Sequence, residues 1–122
     1  ITMTDEILSW VGSKPTSGSY ETHTKRHMRI PMNAKGHLGG KYYWMPIPMK
    51  RSTYDFKTWF LSLFPGTTPP SRYVPGSTFC VSRKTIRNRS LGFYQALLKT
   101  IPTSGYCEED HYLECTWQTI FK

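Results

Sequence analysis

Tyr73-Val74-Pro75-Gly76-Ser77-Thr78-Phe79-Cys80-Val81-Ser82, followed by Arg83-Lys84-Thr85-Ile86-Arg87, is the stretch that decides the fold class. Val74-Pro75-Gly76 is a turn signal, and Ser77 to Ser82 alternates as a strand with Phe79 and Val81 on one face. Ser82 or Arg83 then opens a basic helical turn. Ser90 supplies an N-cap to a second helix, in which Tyr94, Leu97, Leu98 and Ile101 fall at i, i+3, i+4 and i+7 before Pro102 ends it. A strand passing directly into helices predicts an α/β chain.

Working outward, Ser52 or Thr53 caps a helix running to about Phe64, with Trp59, Phe60, Leu63 and Phe64 at three- and four-residue spacings and Pro65-Gly66 as its stop. Downstream, a last helix is expected from about Glu108 to Phe121, with Leu113, Trp117, Ile120 and Phe121 as its buried stripe. Upstream, Lys41 to Pro48 has strand-forming aromatics, but Pro46 and Pro48 restrict it to an edge or an extended arm. Ser13 to Gly40 reads as a long surface excursion with one short strand around Met28 to Met32, and Thr4 can cap a helix over Asp5 to Val11. The expected architecture is a small mixed sheet, including Ser77 to Ser82, covered by helices near 53–64, 90–101 and 108–121. Residues 1–122 then form a single domain.

Four Trp, eight Tyr and six Phe provide large buried areas and flat faces for stacking sugars or bases. The formal charge of +8 attracts anionic partners such as nucleic acid, nucleotide diphosphates and anionic surfaces. Cys80, Cys107 and Cys115 lack a CxxC pair, which argues against a zinc ribbon or a disulfide framework and for a reducing, cytoplasmic compartment. No apolar run approaches the roughly 18 residues of a membrane span. A Golgi lumen location would require an anchor elsewhere in the full chain.

Half of the eight acids, namely Glu108, Glu109, Asp110 and Glu114, gather at one end of the last helix. Acids in a first turn complement the helix dipole, which is the simple reading. The stripe set by Leu113 and Trp117 places Asp110 and Glu114 on its border, where partial desolvation suits a general base, so Asp110 is the first candidate and Glu109 the second. His111 is a second proton-transfer group or an orienting donor beside them. Ser82, Arg83, Lys84, Arg87 and Arg89 follow the strand directly and could receive a diphosphate. Tyr42 and Tyr43 are open to stacking, whereas Trp59 at helical spacing reads as core. His23 and His27 lie four apart but in a segment without a helical stripe, so no metal ligands are assigned.

The segment from Tyr73 to Ser90, the Gly92-Phe93-Tyr94 helix and the closing Leu113-Glu114-Cys115-Thr116-Trp117-Gln118-Thr119-Ile120-Phe121 together resemble the C-terminal part of a poorly characterised glycosyltransferase-like family. The resemblance covers about the last seventy residues. It implies the acceptor-side part of a GT-A fold, with the donor-binding half upstream. The function it implies is transfer of a sugar from a nucleotide-diphosphate donor to a hydroxyl of a saccharide or glycoprotein acceptor. Gly76 and Ser77 correspond to the loop near the donor, Glu109 and Asp110 to the catalytic pair, and manganese or magnesium is implied as cofactor. GT-A enzymes usually hold that metal with an Asp-x-Asp, which this chain does not contain. The competing readings are a nucleic-acid-binding module using Lys25, Arg26, Arg29, Arg83, Arg87 and Arg89, which no readout motif supports, and a non-catalytic carbohydrate-binding domain.

Overall fold

The computed structural model describes residues 20–39, 49–103 and 105–122; the helix expected over Asp5 to Val11 and the arm carrying Tyr42 and Tyr43 lie outside them. Strands β1 (Tyr20–Thr22) and β4 (Phe79–Val81) pair antiparallel, with Tyr20 opposite Val81 and Thr22 opposite Phe79. A second ladder joins β2 (Met28–Arg29) to β3 (Arg72–Tyr73), also antiparallel. The expected single mixed sheet is therefore replaced by two separate two-stranded sheets, because the 13–40 segment contributes a strand to each. With five helices among the described residues, these form a small mixed α/β domain.

Helix α1 (Phe56–Leu63) starts later than the Ser52 or Thr53 cap predicts, because Asp55 is the N-cap and its carboxylate accepts the Thr58 N–H at 2.8 Å. Ser52 is buried instead, for a reason that lies in α4. Helix α2 (Arg83–Arg87) opens on Ser82, whose hydroxyl oxygen accepts from the N–H of Thr85, and α3 (Leu91–Lys99) opens on Ser90 in the same way through Phe93. Within α3 the face turned inward carries Phe93, Tyr94, Leu97 and Ile101, while Leu98 is 70% exposed, so the expected stripe is rotated by part of a turn.

The expected last helix is divided into α4 (Glu108–Glu114) and α5 (Trp117–Ile120). Thr116, with φ −117° and ψ 0°, sits between them, and its hydroxyl donates back to the carbonyls of Tyr112 and Leu113 at 3.1 and 3.0 Å. Such back-bonding competes with the regular ladder and bends or ends a helix. It also resets the phase: the fully turned-in side of α4 is Glu108, Tyr112 and Cys115, whereas Leu113 and Trp117 are only half-buried.

The core is an aromatic cluster of Phe56, Trp59, Phe60 and Tyr112, with ring centroids 5.3 to 6.2 Å apart, extended by Phe64, Leu97 and Ile120. Ile30 and Leu38 join it, although they belong to the segment expected to be a surface excursion. Burying each contributes about 1.5 to 3 kcal/mol, enough to tether an otherwise irregular loop.

Candidate functional site

Four consecutive polar residues begin α4, and because successive helical positions are about 100° apart they serve different surroundings. Glu108 is fully buried. Its carboxylate accepts the backbone N–H groups of Leu38 and Ser52 at 2.8 and 2.9 Å, the Tyr112 hydroxyl at 3.0 Å and His37 Nδ1 at 2.9 Å, with Arg51 Nη1 at 3.4 Å. Burial alone would push the Glu108 carboxyl up, but the Ser52 and Leu38 N–H groups, with His37 and Tyr112, outweigh it and hold the group below its ordinary range. The same helix end is stitched by Glu108 N–H to the Lys50 carbonyl and by Lys50 N–H to the Tyr106 carbonyl. Glu108 is thus a structural centre. Spacing hid it, since an acid in a first helical turn reads as dipole complementarity, although the i, i+4, i+7 series of Glu108, Tyr112 and Cys115 was there to be found.

Glu109 lies one position on and opens onto a cleft of about 480 Å³. Thr58 and Ser62 of α1, Thr53 and Tyr54 ahead of it, and Lys99 and Thr100 at the end of α3 complete the walls with Trp59. Trp59 is 3% exposed, and its indole N–H has no acceptor among the described residues. An unpaired buried donor costs about 1 to 3 kcal/mol. Glu109 makes no hydrogen bond or ion pair among the described residues, so the cleft holds one uncommitted carboxylate, one ammonium and a set of hydroxyls. Asp110, expected half-buried at the stripe border, is exposed because the helix phase differs from the single-helix expectation, and it does not line the cleft.

His111 turns to the other side. Its Nε2 is 2.6 Å from the Tyr106 hydroxyl, and its Nδ1 is 3.4 Å from Glu114 Oε1. With the proton on Nδ1, the ring donates to Glu114 and accepts from Tyr106, giving one continuous hydrogen-bonded chain. Glu114 Oε2 also accepts the Gly76 N–H at 2.5 Å. The bond from His111 holds the Glu114 carboxyl below its usual range, against the opposing effect of burial, and the Gly76 N–H adds to it. Gly76 has φ 90°, a conformation that side chains with a Cβ rarely adopt, and this aims its N–H at the carboxylate. Ser77 accepts from the Trp117 indole at 3.3 Å. Gly76, Ser77 and His111 therefore gather on one face of α4, and Glu109 stands in the cleft apart from them.

Arg83 is exposed on α2 with Lys84 and Arg87, and Arg89, expected to join them, has left that group. Its Nε and Nη2 donate to the Ile120 and Thr119 carbonyls, both at 2.6 Å, and its guanidinium lies over Phe64 and Phe93. Among the described residues no group of three or more His, Cys, Asp or Glu side chains comes together. Nor is any described helix long and apolar enough to cross a membrane. No protein-family model matches the sequence, and neither a curated protein nor a solved structure shows detectable similarity to it.

Proposed function

We propose that this domain is the acceptor-side part of a nucleotide-sugar glycosyltransferase of the GT-A type, with Glu109 rather than Asp110 as the general base. The observation that carries the reading is the position of Glu109: a half-buried carboxylate, uncommitted among the described residues, on the wall of a cleft otherwise rich in hydroxyls. An acceptor hydroxyl entering the cleft would donate to Glu109, which removes its proton as the oxygen attacks the sugar carbon and the bond from that carbon to the diphosphate oxygen breaks, releasing the nucleoside diphosphate. Thr53, Thr58 and Ser62 would exchange hydrogen bonds with neighbouring hydroxyls of the acceptor. The buried Trp59 N–H supports a polar occupant, since a small opening of the cleft floor would give it the acceptor it lacks. The resemblance supplies the reaction type, and the metal and donor site belong to the part of the fold it places upstream.

The test is transfer from a panel of nucleotide sugars by the whole protein, comparing Glu109→Gln with Asp110→Asn. Glu109→Gln should lower kcat by 10²- to 10⁴-fold, the usual worth of a general base, while Asp110→Asn stays within about threefold of the parent. Full activity of Glu109→Gln removes the base assignment. Absence of transfer from every donor, with saccharide binding retained in the cleft, favours a carbohydrate-binding domain.

A further inference from the structure

A second cavity, of about 460 Å³, lies beyond the C-terminal end of α1 and shares no residue with the Glu109 cleft. Its polar wall consists of Arg89, Lys122, Thr67, Thr68 and Thr119, and no carboxylate side chain lines it. Arg89 forms no ion pair with a carboxylate among the described residues. Its guanidinium is nevertheless fixed: the Phe64 and Phe93 rings lie 5.0 and 4.8 Å from it, and the carbonyls of Thr119 and Ile120 take Nη2 and Nε. Nη1 takes no part in those bonds. Gly66, with φ 79°, turns the chain after α1 so that Thr67 N–H closes on the Phe64 carbonyl, which brings Thr67 and Thr68 to the cavity. Their hydroxyls make no hydrogen bond among the described residues.

We infer that this cavity binds the phosphate group of a small phosphate monoester, independently of the function proposed for the cleft. A planar guanidinium held on both its ring-facing side and its carbonyl edge presents the remaining edge without further ordering, and phosphate oxygens match that fork. Threonine hydroxyls, which can donate to phosphate oxygens, and an ammonium complete a lining with two cationic side chains and no carboxylate side chain, which favours an oxyanion over a cationic ligand. The volume lies within the roughly 300 to 1,000 Å³ of small-molecule sites, which leaves room for the organic part of an ester beside the phosphate. The exposed cations of α2 contribute only long-range attraction.

Isothermal titration of the protein with glucose 6-phosphate and with inorganic phosphate tests the inference, using Arg89→Lys, Lys122→Ala, Thr68→Val and, as comparisons, Arg83→Ala and Lys84→Ala. Arg89→Lys keeps the charge but loses the fork, and should weaken binding at least tenfold; Lys122→Ala and Thr68→Val should each weaken it about three- to tenfold. If Arg89→Lys melts early, the other two variants decide. Tighter binding of the ester than of inorganic phosphate, or equal binding of both, supports the site when it is lost in these variants. Binding that none of the three moves, or that Arg83→Ala and Lys84→Ala weaken to the same extent, overturns it and leaves attraction to the net charge.

Discussion

His37 and Glu108, 71 positions apart in the chain, meet with Nδ1 2.9 Å from Oε1. The contact needs a proton on Nδ1, and it brings the loop around Leu38 against the first turn of α4. Because the Leu38 and Ser52 backbone N–H groups share the same carboxylate, one side chain organises two segments that have almost no regular structure.

Replacement of Glu108 should therefore be among the most damaging single changes. Glu108→Gln preserves the shape but turns an amide NH₂ toward donors, leaving at least one buried N–H unpaired. Disrupting a buried, fully bonded charge typically costs about 3 to 5 kcal/mol. Chemical denaturation of the two proteins measures this directly, and a loss below about 1 kcal/mol would show that the loops are held by Leu38 and Phe56 packing instead.

Acid should unfold the domain in a defined window. Glu108, Glu114 and Asp55 all have folded-state carboxyls held below their ordinary values of 4.5, 4.5 and 3.8; for Asp55 the cause is the hydrogen bonding with Thr58. A depressed carboxyl contributes stability that is fully present above its unfolded value and is lost as pH falls through its folded value. Stability should be level above about pH 5.5 and should decline below about pH 4.5. Thermal melts across pH 3 to 7 would reveal it, and Glu108→Gln should flatten the decline.

Cysteine labelling should be selective. Cys107 is 1% and Cys115 4% exposed, and burial pushes the Cys115 thiol upward, with Glu114 adding to the effect, so both should be inert in the native state. Cys80, half-buried on β4, should be alkylated first. Mass spectrometry after a timed iodoacetamide pulse reads the order, and early modification of Cys115 would mean that α4 and α5 open readily.

Trp117→Ala should cost about 1 to 3 kcal/mol, less than a fully buried Trp would. Its ring stacks on Phe121 at 5.8 Å and meets Phe79 at 5.1 Å, but it is only half-buried. Denaturant titration distinguishes this from the larger loss that an uninterrupted helix over 108–121 would imply.

Local chemistry was legible where it acts locally. Ser82 and Ser90 precede their helices with the expected caps, and Pro102 and Pro65-Gly66 follow helices that end where expected. What could not be read depends on partners distant in sequence: Glu108 looks like any first-turn acid until Leu38 and Ser52 are brought beside it. Thr116 has an unremarkable helical propensity, and only its hydroxyl bonds back to Tyr112 and Leu113 explain why the helix ends. That one interruption shifted the phase, and with it the choice between Asp110 and Glu109 for the cleft. Arg89 reads as one cation in a basic run, and its separation from Arg83 and Arg87 follows from α3 and α5 packing around it.

The bonds that converge on Glu108 span 56 to 71 positions, apart from the one to Tyr112. Closing loops of that size costs more entropy than forming a helical turn, and this junction is expected to assemble late in folding, after the locally closed helices. Weakening it would then leave the refolding rate nearly unchanged and accelerate unfolding. The lifetime of the native state, more than the speed at which it is reached, would then be set at this one carboxylate.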